Sequence, residues 1–340
     1  MGRVKAAVDA GGASPRYDAG WRAVHPPGPR ARARAAYLQE DPVTSPGDVR
    51  EERLDALLTA VIDQLNSTDP RLNDVMESLV RHLHAFVRET RPTESEWLTG
   101  IDFLVRTGQT CTEHRNEFIL LADTLGLTTA VDDVNHAGPA GATPSSVEGP
   151  FHSPAPAREN GAWISTGPER QRGDVMVVRG RVTDTSGKPI ERATVDIWQA
   201  DDAGRYDTQD PAQEPGNLRG LFTTDADGAY WFRSIIPSSY PVPTDGPGGE
   251  LLTALGRHAM RPAHIHYRVE AFGHRPVTTH VFVSGDEYLD ADAAFAVKDE
   301  LVVAPVRETD PERAVAFGVD VPFADFVFDV RLLPLGEVIA

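Results

Sequence analysis

The chain has 340 residues, 33 basic against 51 acidic side chains for a formal net charge of -18, and 40% hydrophobic residues, so it is long enough for one large domain or two smaller ones with an ample core. That charge argues against nucleic acid or an anionic membrane surface as the main partner, because electrostatics would oppose both. No stretch approaches the ~20 apolar residues of a membrane helix, the amino terminus lacks the apolar core of a secretion signal, and the single Cys111 cannot form an internal disulfide, which makes a reducing cytoplasm the expected compartment.

Residues 1–48 carry Gly11-Gly12, Pro26-Pro27-Gly28-Pro29 and the basic run Arg30 to Arg34 without a sustained apolar period, and are expected to be a disordered extension. Helical spacing begins at Leu54 and continues through Leu57, Leu58, Val61, Ile62 and Leu65. A second helix is predicted from Asp69-Pro70 to Arg88, with Val75, Met76, Leu79, Val80, Leu83, Phe86 and Val87 on its apolar stripe. A third starts at Thr93, where Glu96 completes a capping box. The fourth, Glu113 to Leu125, should stop at Gly126. Cys111 reads as a buried structural thiol. Pro- and Gly-rich Val134–Gly149 reads as a linker.

From Gly149 onward short β runs and turns dominate. Val175–Thr183, Thr194–Trp198, Ala229–Ile235, His264–Glu270, Val277–Ser284 and Phe326–Leu332 are the clearest strands, a spacing that argues for a β-sandwich. Asp184 to Pro189 supplies turn chemistry, so the first two runs are expected to form a hairpin. The predicted organisation is α+β: an extension over 1–48, a helical N-terminal domain over 49–133 and an all-β sandwich domain over 134–340.

Chemistry concentrates in Arg261-Pro262-Ala263-His264-Ile265-His266. Side chains two apart on a strand share a face, so His264 and His266 can reach one point, while Ala263, Ile265, Tyr267 and Val269 form the opposite, apolar face. A His-x-His pair is also compatible with zinc, with ferrous iron or with core histidines satisfied by hydrogen bonds. Zinc sites add cysteine or carboxylate ligands, and the ferrous triad adds a carboxylate. No close acid is evident. Tyr206 and Tyr240 upstream can add two phenolates, hard donors that suit a trivalent ion. The other histidines, His114, His136, His258 and His274, lack ligand spacing, and His152 borders the loop at Phe151.

The run from Val178 through Gly187-Lys188-Pro189-Ile190 and Val195-Asp196-Ile197-Trp198-Gln199-Ala200-Asp201 to Gly204-Arg205-Tyr206, continued by Asn217-Leu218-Arg219-Gly220, Tyr240 and Arg261 to His266, resembles the signature of the intradiol ring-cleavage dioxygenases. The resemblance covers roughly Leu54 to Val306. It implies one Fe(III) per chain held by Tyr206, Tyr240, His264 and His266, with a small aromatic diol or triol and O2 as substrates. It also implies that Tyr240 accepts a substrate proton, that Arg261 stabilises the carbanion-like substrate, and that the helical region is a homodimer contact beside an all-β catalytic domain.

Tyr240 to Pro247, Val277 to Val283 with His280, and Gly285 to Asp290 look like the hydroxyquinol branch of that family, in which the product is a 3-hydroxy-cis,cis-muconate. By analogy with that branch the substrate pocket comprises Leu120 and Asp123, then Val147, Glu148, Gly149, Pro150 and Phe151, then Val242, Pro243, Arg261 and His280. Asp123 is the candidate partner for a third hydroxyl. Glu148-Gly149-Pro150 is closer to the catechol branch, so catechol or chlorocatechol cleavage is the alternative. A non-catalytic transthyretin-like binding module is the remote one.

Overall fold

The structure, a computed structural model, describes residues 46–112, 115–136 and 141–336. The expected extension lies outside these except for its last residues, which already belong to a helix. The chain divides into two compact units after Arg91, inside the helical region rather than at its end.

The first unit contains helices α1 (Pro46–Ile62) and α2 (Pro70–Thr90). Asp69 caps α2 by accepting from the Arg71 and Leu72 amides at 2.9 and 3.4 Å, with Pro70 in the first turn, where a missing N–H costs nothing. Arg88 reaches Asp55 across the pair at 2.6 Å.

The second unit opens with α3 (Glu94–Thr110), α4 (Glu117–Thr124) and α5 (Leu127–His136). The capping box at α3 is present, with Thr93 and Glu96 each satisfying the other's backbone amide. Glu113, the expected start of the fourth helix, lies outside the described residues, and Asn116 caps α4 instead. Gly126 adopts φ +72° and ends α4, but α5 restarts one residue later and runs into the stretch expected to be linker. Its last turns are held by Asp132, which accepts from Ser145 Oγ at 2.8 Å and Lys298 Nζ at 3.2 Å. Cys111 is half-buried and accepts from the Glu117 amide at 3.3 Å.

The rest is two five-stranded sheets with short helices α6 (Glu169–Arg172), α7 (Pro247–Ala254) and α8 (Pro311–Phe317). One sheet contains β1 (Val175–Asp184), β4 (Ala229–Ile235), β10 (Val306–Glu308), β11 (Phe323–Val327) and β12 (Val330–Leu332). The other has the order β3 (Arg219–Thr223), β2 (Thr194–Gln199), β7 (His264–Glu270), β8 (Val277–Val283) and β9 (Val302–Val303). Two-residue strands β5 (Tyr240–Pro241) and β6 (Met260–Arg261) pair with each other. The inner faces meet in one core that includes Met176, Val178, Ile197, Phe222, Phe232, Ile265, Tyr267 and Phe326. Phe222 of one sheet stacks on Phe232 of the other at 5.2 Å.

The expected hairpin does not form. The chain does reverse where predicted, because Asp184 Oδ1 accepts from the Ser186 and Lys188 amides and Ile190 bonds back to Val182. β1 then pairs with β4, β11 and β12, whereas β2 pairs with β3 and β7. Both runs carry core valines, and opposed sheets bury both sets at once. The single final strand expected over Phe326–Leu332 is likewise two strands, since Phe328-Asp329 interrupts the ladder and Asp329 accepts from the Arg181 amide at 2.8 Å.

Candidate metal centre

The site lies on the outer face of the second sheet. Alternation sends Ile265, Tyr267 and Val269 of β7 into the core and leaves His264 and His266 facing the other way. Trp198 of β2 and His280 of β8 are the register partners of His266 on either side. Two loops close over this face. Gly204, at φ +75°, turns the chain into Tyr206, and a Cβ there would sit 2.7 Å from Tyr240 Cβ. Glycine at this position lets the two tyrosine-bearing segments touch. On the other side Gly149, at φ +76°, passes so close to His266 that a Cβ would lie 3.3 Å from its Cε1.

Four polar atoms converge. Tyr206 Oη is 2.9 Å from His266 Nε2 and 3.1 Å from Tyr240 Oη, Tyr240 Oη is 3.3 Å from His264 Nε2, and the two Nε2 atoms are 3.2 Å apart. Donors about 2.0–2.1 Å from a common ion and roughly 90–110° apart stand roughly 2.9–3.4 Å from one another. The closed ring of contacts has the dimensions of a coordination shell. His264 Nδ1–H donates to the Pro262 carbonyl at 2.7 Å, which leaves the Nε2 lone pair facing the other three atoms.

Electrostatics point the same way. Burial, then the charge of Arg261, pushes the His264 pKa down, and burial followed by His280 does so for His266, so both rings are neutral and able to ligate. Burial pushes Tyr206 well above the usual phenol value and Tyr240 above it too. These phenols ionise only beside strong positive charge. Arg261 and Arg219 oppose the rise at Tyr206, but both are already matched by acids. Arg219 Nε donates to Asp207 at 2.8 Å, and Arg261 Nε donates to Asp292 Oδ1 at 3.1 Å with both side chains buried. A cation held by these four atoms would complete the balance.

His280 joins this neighbourhood. The nitrogens of His264, His266 and His280 lie within 4.8 Å of one another, a cluster that could hold a metal ion. Phe151 stacks on Tyr206 at 4.6 Å. Leu120, Val242, Leu252 and Ala293 form a small apolar cluster of their own, Val147 is buried and Pro243 half-buried. Asp123 is 8% exposed and its Oδ1 has no hydrogen-bond partner. Burial raises its pKa against the pull of Thr128 and Arg261. Glu148 and Pro150 are exposed, and Glu148 approaches His152 at 4.0 Å.

Sequence reasoning missed Asp292, because the acid that neutralises Arg261 is 31 residues away. A buried guanidinium demands such a partner, yet nothing local says which. It also assigned no role to Trp198, or to the pair His152 Nε2–Asp196 at 3.0 Å.

Two family models match the chain: "Dioxygenase" over residues 147–333 and "Catechol dioxygenase N terminus" over 69–143. A hydroxyquinol 1,2-dioxygenase of Rhizobium sp. is 45% identical over 262 residues, covering 76% of this chain and 88% of its own length. A 6-chlorohydroxyquinol 1,2-dioxygenase of Cupriavidus pinatubonensis is 47% identical, with 75% and 92% covered. The solved structure of a hydroxyquinol 1,2-dioxygenase from Pseudomonas putida superposes with a TM-score of 0.78 at 41% identity, over 84% of this chain and 99% of that one. With two phenols and two imidazoles brought to one point on the matched sandwich, these likenesses settle the assignment: the chain belongs to the intradiol ring-cleavage dioxygenases.

Proposed function

We propose that the protein is a ferric dioxygenase that cleaves hydroxyquinol, benzene-1,2,4-triol, with O2 to 3-hydroxy-cis,cis-muconate, with catechol a poorer substrate. The observation that carries the substrate choice is Asp123. A buried carboxylate oxygen without a partner, close enough to feel the charge of Arg261, suits the additional hydroxyl of a triol. The relatives named above act, by their names, on hydroxyquinols.

Tyr206, Tyr240, His264 and His266 would hold the iron. When bound, ferric iron would supply Lewis acidity that favours the ionised form of an ortho-diol. Tyr240 Oη accepts the proton of a substrate hydroxyl. Arg261, charged and held by Asp292, stabilises negative charge delocalised into the ring. Leu120, Val147, Val242 and Phe151 exclude water, and Gly149 leaves room beside His266. Glu148 is exposed and favours neither diol.

The helical region supports a homodimer. Leu72, Val75, Leu79, Leu83 and Phe86 of α2 form an exposed apolar stripe of the kind that calls for a partner. Among the described residues no helix is long and apolar enough to cross a membrane.

Oxygen uptake with hydroxyquinol, catechol and 4-chlorocatechol tests the proposal. Faster turnover of catechol than of hydroxyquinol would move the protein to the catechol branch, and no uptake with any of the three would refute the activity.

A further inference from the structure

Strand register puts His280 opposite His266. Their rings are 4.3 Å apart and perpendicular, and His264 is 4.9 Å away. By position alone His280 is a third imidazole for the metal. Its hydrogen bonds exclude that role. Arg261 Nη2 lies 3.3 Å from His280 Nδ1, and a guanidinium can only donate, so Nδ1 must present its lone pair. Ser146 Oγ, 3.4 Å from the same nitrogen, can place its one proton there or on the Ala296 carbonyl at 3.3 Å. In the second arrangement the Ser146 oxygen could equally accept from Nδ1, so it is Arg261, able only to donate, that requires the Nδ1 lone pair.

With the Nδ1 lone pair accepting from Arg261, the neutral ring carries its one proton on Nε2. This nitrogen is fully buried and has no hydrogen-bond partner. Arg261 is itself aimed. Its Nε and Nη2 donate to Asp292 at 3.1 and 3.3 Å, and the Ala294 and Ala296 amides anchor Asp292 at 3.1 Å each. The second Nη2 proton is what remains for His280.

We propose that His280 does not ligate the metal but donates a hydrogen bond from Nε2 to an ionised oxygen of the bound ortho-diol, and that Asp292, acting through Arg261, is the positioning residue that fixes the required tautomer. This rests on the ferric dioxygenase reading. The N–H and the phenolate oxygen are complementary in a way that a lone pair on Nε2 would not be, and a buried donor left unmet costs free energy until the substrate arrives.

The test uses the iron-loaded full-length enzyme and 4-nitrocatechol, titrated without oxygen and followed in the visible spectrum. His280→Phe should retain the wild-type iron content but bind 4-nitrocatechol about tenfold more weakly, the loss expected for a hydrogen bond to a charged group. His280→Gln, whose amide can still donate, should stay close to wild type. Asp292→Asn should weaken binding in the wild-type background and much less in the His280→Gln background, because glutamine has no tautomer to set.

Loss of iron in His280→Phe to the level of His264→Phe would make His280 a ligand and overturn the proposal, as would unchanged 4-nitrocatechol affinity in His280→Phe. Equal losses from Asp292→Asn in both backgrounds would remove Asp292 from the relay. A wild-type protein that takes up no iron would instead refute the underlying function, so the two failures are distinguishable.

Discussion

The indole of Trp198 lies flat against the imidazole of His266, with centroids 4.7 Å apart and planes 11° from parallel. His152 packs edge-on against the same indole at 4.7 Å, and the indole Nε1 makes no hydrogen bond. The face of the ring, not its N–H, is what holds His266. Trp198→Ala should therefore lower the unfolding free energy by about 3–5 kcal/mol and reduce iron stoichiometry. Trp198→Phe should retain much of both. Urea denaturation and metal analysis of the two variants measure this, and equal iron content in Trp198→Ala and wild type would show that His266 needs no such support.

Colour reports the phenolates. The iron-loaded protein should be red to burgundy from tyrosinate-to-iron charge transfer, and Tyr206→Phe should lose the iron or most of the visible band. Removing the metal by chelation should abolish the band reversibly. A colourless protein with one zinc ion per chain would end the ferric reading.

Asp123→Ala should change preference more than it changes stability. If the carboxylate pairs with the third hydroxyl of the triol, catechol leaves it without that partner, at a cost of about 1–3 kcal/mol. The substitution should lower kcat/KM for hydroxyquinol by roughly tenfold and alter that for catechol less. Steady-state oxygen uptake on both substrates decides it, and equal losses on the two would detach Asp123 from the third hydroxyl.

If the α2 stripe is an interface, a charge within it should open the dimer. Leu79→Asp or Leu83→Asp should yield a smaller species in sedimentation velocity while the iron content of the sandwich is unchanged. A monomeric wild type at micromolar concentration would refute the proposed dimer.

Asp325 gives a pH dependence with a defined sign. Its two oxygens accept from Arg179 at 2.8 and 2.9 Å and from Arg313 at 2.7 Å. Burial raises its pKa, but the bonds from Arg179 and Arg313 outweigh burial and hold it below the ordinary 3.8. The folded state thus binds the proton less tightly than the unfolded chain. The stabilisation is present above the ordinary carboxylate value and is lost as pH falls through the depressed one. Asp325→Asn should be less stable than wild type near neutral pH, and the gap should narrow in acid. A gap constant with pH would mean that packing, not charge, is what the substitution removes.

Part of this molecule is determined within a few residues of chain, and there the sequence alone suffices. Alternation on β7 sets His264 and His266 on one face because the pleat has a period of two. Thr93 and Glu96 start a helix because each can cap the other. Likewise Gly204 and Gly126 mark turns because their backbone conformations exclude a side chain. The motif around Tyr206 was enough to expect a two-tyrosine, two-histidine site.

What decides the rest is which surfaces meet, and that is a property of the whole chain. Val178 and Val195 lie on runs that read as a hairpin, yet they enter one core from separate sheets because a sandwich buries both apolar faces only that way. Helix α5 exists because Asp132 finds Ser145 and Lys298, contacts that no local period reveals. Phe151 reaches Tyr206, and Asp292 reaches Arg261 and through it His280, across separations at which sequence spacing carries no geometry. The residue types were legible in the sequence; which nitrogen of His280 holds the proton depends on a guanidinium that folding delivers to it.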